Sequence, residues 1–162
     1  MSTEFPARPA AAPSSSDGTH GYGIVVSRYN TRFTSALADH ARSELLAIDS
    51  EADVEVVEAP GAFEIPILVQ LLAEKRRHRA ILALGVIIRG ETAHADLIAA
   101  SITDALQAIA LREGIPVVHE VLLVEGAEQA QARCLDPAMN RGVEAARTAV
   151  TVARTAAAIR ES

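Results

Sequence analysis

Ala80-Ile81-Leu82-Ala83-Leu84-Gly85-Val86-Ile87-Ile88, followed at once by Arg89-Gly90-Glu91-Thr92-Ala93-His94, is the stretch on which the fold turns. The first part carries no charge and no polar alternation, which reads as a strand buried on both faces, as in parallel sheets. It is too short to span a bilayer. A strand of this kind needs helices over both faces. The polar turn that follows leads into one, over residues 95–112, closed by Gly114 as a C-terminal cap.

The same grammar extends to both sides. Residues 22–27 form a short aliphatic strand, and Phe33, Leu37, Ala41, Leu45 and Ile48 recur at helical spacing across 31–48. Residues 54–58 predict a second strand, broken by Pro60-Gly61. Pro66 suits the first turn of a helix reaching about residue 77, where a missing N–H costs nothing. Residues 116–124 predict a fourth strand, 127–132 a short helix, 134–140 an irregular link, and 142–160 an Ala-rich final helix. Strands alternating with helices imply an α/β three-layer sandwich: a flavodoxin-like four-stranded parallel sheet, right-handed crossovers, and helices on both faces. Residues 1–20, with Pro6, Pro9 and Pro13 and little to bury, predict a flexible N-terminal arm before one domain over 21–162.

Composition narrows the function classes. The chain has 162 residues, 49% hydrophobic but only 3% aromatic, with a formal net charge of -6. Its one basic run, Lys75-Arg76-Arg77, reads as the solvated end of a helix. That is too small a positive footprint for nucleic acid, so no nucleic-acid partner is expected. The single cysteine, Cys134, excludes an intrachain disulfide, and no Cys/His cluster has metal-ligand spacing. With no apolar signal core or membrane span in the sequence, a cytoplasmic protein without membrane contact is expected.

In open α/β sheets ligands sit beyond the carboxyl ends of the strands. Three segments lie there. In Arg28-Tyr29-Asn30, Tyr29 reads either as a turn residue covering the sheet edge or as a face for stacking a planar ring. In Pro60-Gly61-Ala62-Phe63-Glu64, the small residues admit a ligand to the backbone. Glu64 reads either as a helix cap or as an acceptor for a polyol. In Arg89-Gly90-Glu91-Thr92-Ala93-His94, helix-start N–H groups favour phosphate, and His94 is either an exposed polar residue or a proton carrier beside it. The fourth strand holds an anomaly: His119-Glu120 interrupts an apolar run. Burying that pair unpartnered would cost several kcal/mol. Either the pair is satisfied locally, or the strand is an edge facing a subunit or ligand, which is the preferred reading. Arg133 and Arg141 flank the irregular link and suit an anionic substrate.

Taken together, Ser27-Arg28-Tyr29-Asn30, Pro60-Gly61-Ala62-Phe63-Glu64-Ile65-Pro66, Gly85-Val86-Ile87-Ile88-Arg89-Gly90-Glu91-Thr92-Ala93-His94, Glu128-Gln129-Ala130 and Asn140-Arg141-Gly142 resemble the lumazine synthase family. The resemblance runs from Tyr22 almost to the C-terminus. It implies condensation of 5-amino-6-ribitylaminouracil with 3,4-dihydroxy-2-butanone 4-phosphate, with release of phosphate and water and without metal or organic cofactor. It implies that Tyr29 stacks on the pyrimidine, that Ala62 and Glu64 hold the ribityl chain, that Ile87 and Ile88 line the ring pocket, and that Phe63 and Val86 also bind substrate. Gly90, Glu91 and Thr92 would cradle the phosphate, and His94 would move protons. Arg133 would reach the phosphate from a neighbouring subunit, and Arg141 stands where a lysine near the ribityl chain is common.

Three departures stand out. His119 occupies the position of a phenylalanine that covers the pyrimidine from the adjacent subunit. Glu91 replaces a small residue beside the phosphate, and Ala95 and Leu97 replace aromatics. Family members form homo-oligomeric pentamers, some stacked into icosahedral shells, and the link over 133–141 permits a shell. The rival readings are a passive flavin- or lumazine-binding shell, which needs neither His94 nor Arg133, and a flavodoxin-like mononucleotide module. The module's phosphate loop would follow the first strand, where Arg28-Tyr29-Asn30 is too short and bulky.

Overall fold

β1 (Gly21–Ser27) is buried along its whole length because it pairs with a parallel strand on each side: β2 (Asp53–Ala59) and β3 (His78–Ile88). The far side of β3 pairs with β4 (Val117–Val124), so the order is β2-β1-β3-β4 and every pairing is parallel. Between and after the strands lie α1 (Thr31–Ile48), α2 (Ile65–Glu74), α3 (His94–Glu113), α4 (Ala127–Cys134) and α5 (Arg141–Glu161). These come from a computed structural model that describes residues 6–11 and 21–162.

Alternation along the strands sorts the core into two halves, since successive side chains face opposite ways. Ile24, Val26, Leu82, Leu84 and Leu122 pack with Leu37, Ala41 and Leu45 of α1 and with Ala145, Ala146 and Ala149 of α5. Val25, Ala59, Ile81, Ala83 and Val121 pack with Val69 and Leu72 of α2 and with Ile102 and Leu106 of α3. The two layers of helices expected from the continuous apolar strand are present. The scarcity of aromatics has a counterpart in α5, whose buried face is mostly alanine and lets α1 approach closely.

Three boundaries differ from the sequence expectation by two residues or more, the first being α4, which runs on to Cys134 and so takes that residue out of the irregular link. α2 ends at Glu74 rather than near residue 77, and Arg76 turns into the left-handed region at φ 56°. β3 begins at His78, two residues early, because Glu55 of β2 offers a carboxylate there. Lys75 and Arg77 each meet that carboxylate at 2.6 Å, while Arg76 pairs with Glu113 at 2.8 Å. The basic run is therefore a set of clamps at the amino end of the sheet.

Most of the expected N-terminal arm, residues 1–5 and 12–20, lies outside the described residues. Residues 6–11, which have no regular secondary structure, lie against the α1/α5 layer. Arg8 pairs with Glu44 at 2.6 Å, Arg147 donates to the Pro6 carbonyl at 2.8 Å, and Arg154 to the Ala10 carbonyl at 2.6 Å. Among the described residues, no helix is long and apolar enough to cross a membrane.

Candidate active site

The turn after β1 is built by Asn30, which adopts a left-handed conformation (φ 60°, ψ 41°) that asparagine tolerates better than most residues. Its side chain does not cap α1. Instead Nδ2 donates to the Val86 carbonyl of β3 at 2.9 Å. This bond ties the carboxyl ends of β1 and β3 together at the point where the sheet's connections diverge, the expected crevice of a doubly wound fold. Arg28 steadies the turn from the other side, its N–H on the Ala59 carbonyl and its guanidinium on Glu58 at 2.7 Å. The result tips Tyr29 outward, 72% exposed.

Tyr29 and Glu64 converge on Gly61. A β-carbon at Gly61 would lie 2.9 Å from Glu64 Oε2 and 3.1 Å from Cδ2 and Cε2 of the Tyr29 ring. Any larger residue there would push both aside. Glu64 stands at the N-terminus of α2 but makes no capping hydrogen bond, so its carboxylate stays beside the ring. Phe63, 60% exposed, stands on the same rim, and Ala62 is half-buried beneath it.

At the end of β3 the three hydrophobic site candidates part. Val86 is buried at 2% in the α1/α5 core and gives its carbonyl to Asn30. Ile88 packs toward the same core, whereas Ile87 packs toward the α2/α3 side. Ser27 Oγ is buried nearby with no hydrogen-bond partner among the described residues, and a β-carbon on Gly85 would come within 3.2 Å of it.

Gly90, Glu91, Thr92 and His94 are all exposed. A β-carbon on Gly90 would meet nothing within 4 Å, so the backbone there borders open space. Thr92 Oγ1 accepts the His94 N–H at 3.4 Å, and Arg89 pairs with Asp96 at 2.5 Å, which pins the turn to the first turn of α3. His94 begins α3, where unpaired N–H groups and the helix dipole favour an anion.

His119, Arg133 and Arg141 form a second group around β4, an edge strand. Among the described residues no hydrogen bond or ion pair joins this group to the first. The polar pair in β4 divides between the two alternatives left open by the sequence: His119 is exposed on the α3 side, and Glu120 is buried on the α5 side and locally paired. Thr103 of α3 donates its hydroxyl proton to the Ala99 carbonyl at 2.9 Å and also lies 3.0 Å from His119 Nε2. A hydroxyl has one proton, so toward His119 it accepts, and Nε2 carries the ring hydrogen. Desolvation lowers the pKa of His119 below the usual histidine value, which keeps the ring uncharged at neutral pH.

Arg141 donates through Nε to Glu120 at 2.9 Å and through Nη1 to Glu144. Arg133 is half-buried and makes no side-chain hydrogen bond or ion pair among the described residues. Asn140 sets this corner. Its Oδ1 accepts the N–H groups of Gly142 and Val143, capping α5, and its Nδ2 donates to the Cys134 carbonyl. Asn30, Asn140, Thr103 and Glu120 were given no role from sequence. Glu120 carried a signal, a charge inside an apolar strand. The Asn30 bond to Val86 spans 56 positions and leaves no local trace, whereas Asn140, directly before α5, stands where an N-cap is expected.

Residues 20–157 match the family described as 6,7-dimethyl-8-ribityllumazine synthase. Over 141 residues the chain is 44% identical to a 6,7-dimethyl-8-ribityllumazine synthase of Paraburkholderia phymatum, an alignment covering 86% of this chain and 79% of that one.

Proposed function

The chain belongs to the 6,7-dimethyl-8-ribityllumazine synthase family, and from that membership we infer how its residues divide the work of the reaction. Its activity lies in riboflavin biosynthesis: it condenses 5-amino-6-ribitylaminouracil with 3,4-dihydroxy-2-butanone 4-phosphate and releases phosphate and water.

Tyr29 stacks on the pyrimidine, and Glu64 accepts hydrogen bonds from the ribityl hydroxyls; the convergence of both on Gly61 is the observation that carries this assignment. Ala62 and Phe63 complete that rim. Ile87 lines the ring pocket, while Val86 and Ile88 act through their backbone and by holding the strand end. The N–H groups of Gly90, Glu91 and Thr92 take the phosphate, an assignment favoured by the open space beside Gly90 and by the helix start at His94. The Glu91 side chain points away for this to hold. His94 relays protons during imine formation, phosphate loss and ring closure, because its imidazole can both give and take a proton beside the phosphate turn.

Members of the family typically form homo-oligomers. We propose a pentamer, with stacking into a shell permitted, in which the group around β4 completes a neighbour's site. The physical support is the edge position of β4 and the lack, among the described residues, of any hydrogen bond or ion pair joining the two groups. His119 then covers the pyrimidine as an uncharged ring, Arg133 meets the phosphate and Arg141 the ribityl chain. A cytoplasmic setting is proposed with it, on the strength of one buried thiol.

Holding two substrates together supplies up to roughly 7–11 kcal/mol in favourable cases. His94→Ala is therefore expected to slow turnover by about a hundredfold, the low end for acid–base help, without abolishing it. Arg133→Ala raises the KM for the butanone phosphate. Co-assembling the two variants restores part of the lost activity, since some sites receive both intact residues. Unchanged turnover in His94→Ala refutes its role, and no recovery on co-assembly refutes the shared site.

A further inference from the structure

Glu120 is an expensive residue to keep where it is. It lies in the middle of β4, 8% exposed, on the face covered by α5. Burial pushes its carboxyl up to about 6, an effect that Arg141 only partly offsets. A buried carboxylate that is incompletely compensated is a weak source of stability and a good indicator of another role.

Its geometry indicates that role. Asn140 fixes the backbone of Arg141 by capping α5, and Glu120 fixes the side chain by accepting from Nε at 2.9 Å. Glu144 takes Nη1, which leaves Nη2 uncommitted among the described residues. The guanidinium is thus flanked by two carboxylates, and its own side chain is 19% exposed. A phosphate dianion approaching this guanidinium would meet the two carboxylates bonded to it, while a hydroxyl would meet a fixed donor. Arg133 feels Glu120 only through space and has no carboxylate hydrogen-bonded to it among the described residues, so it suits the anion better.

We propose that Glu120 is a positioning residue that holds Arg141 as a charge-compensated donor for the hydroxylated chain of the pyrimidine substrate, leaving Arg133 to the phosphate of the other. This rests on the reading of Arg141 as a ligand contact given above. It adds the partner that sets its direction and its selectivity.

The test uses the assembled enzyme and separate KM values for 5-amino-6-ribitylaminouracil and 3,4-dihydroxy-2-butanone 4-phosphate, with kcat and melting temperature alongside. Glu120→Ala is expected to raise the KM for the pyrimidine about tenfold and the KM for the butanone phosphate less than twofold. Glu120→Gln restores most of the loss, because its amide oxygen still accepts from Nε. Glu120→Asp does not, because it keeps the charge but is one methylene too short; this pair suffices if the alanine variant fails to fold. Equal rises in both KM values, or an aspartate variant that matches wild type, overturn the proposal. Arg141→Ala separates the two levels. If it leaves the pyrimidine KM unchanged, the reading of Arg141 falls and the proposal with it. If it raises that KM while the Glu120 variants do not, only the positioning role falls.

Discussion

Gly142 of α5 lies so close to Leu37 of α1 that a β-carbon on it would sit 2.2 Å from the Leu37 carbonyl oxygen. The contact is between backbone atoms, so no rotamer change relieves it. It fixes how deeply the start of α5 sinks against α1, and therefore where Arg141, one residue earlier, stands.

Gly142→Ala must shift one helix against the other. Overpacking of a tight core costs typically 1–3 kcal/mol, and a backbone clash belongs at or above the top of that range. The expected outcome is a melting temperature lower by about 6–12 °C, at 2–4 °C per kcal/mol for a chain of this size. An alanine variant with wild-type melting would show that the helices separate freely.

Asn30→Ala removes the bond to the Val86 carbonyl and places a residue that disfavours left-handed backbone at φ 60°. We expect a stability loss of about 1–3 kcal/mol, from the orphaned carbonyl and the strain together. We also expect a raised KM for the pyrimidine substrate, since the turn that presents Tyr29 loosens. Asn30→Gly relieves the strain but not the lost bond, so it should recover stability more than affinity.

Glu55 clamps the amino end of the sheet, and hydrogen bonds from Lys75 and Arg77 hold its carboxyl at about 2. A folded pKa below the unfolded value gives stability that is present above about 4.5 and lost as pH falls toward 2. Glu55→Gln should cost about 1–2 kcal/mol at pH 7, because the cations it pairs with are partly exposed. Urea unfolding from pH 7 to pH 3 would show the difference from wild type shrinking; a constant difference would contradict the linkage.

Glu120 has the opposite sign. Its folded pKa of about 6 exceeds the unfolded 4.5, so its contribution is full below 4.5 and fades as pH rises through 6. The charged groups around it are Arg141 and Glu144 of α5 and Arg133 of α4; the Cys134 thiol, pushed up to about 11, does not titrate there. The wild type should gain up to about 2 kcal/mol from this group between pH 7.5 and 4.5. Glu120→Gln should lose that gain, and chemical unfolding of both proteins at the two pH values measures it.

Strand ends were legible because their signals are local. Apolar runs with turn residues after them marked β1, β3 and β4 within two residues, and Pro66 marked the start of α2. The end of α2 was not legible. Arg76 leaves the helix in response to Glu113, a partner 37 positions away. His78 joins β3 because Glu55 waits on another strand.

By itself, the sequence determined the parallel α/β architecture and which turns border the crevice, because periodicity and turn chemistry act over a few neighbouring residues. The tertiary structure alone decided that Asn30 locks β1 to β3, that Tyr29 and Glu64 meet over Gly61, and that His119 and Glu120 take opposite fates one residue apart. It also set the two arginines apart, with Arg141 hydrogen-bonded between carboxylates and Arg133 making no side-chain hydrogen bond or ion pair among the described residues. Hydrogen bonds and desolvation depend on which groups meet in space, and for these residues the partners come from distant parts of the chain.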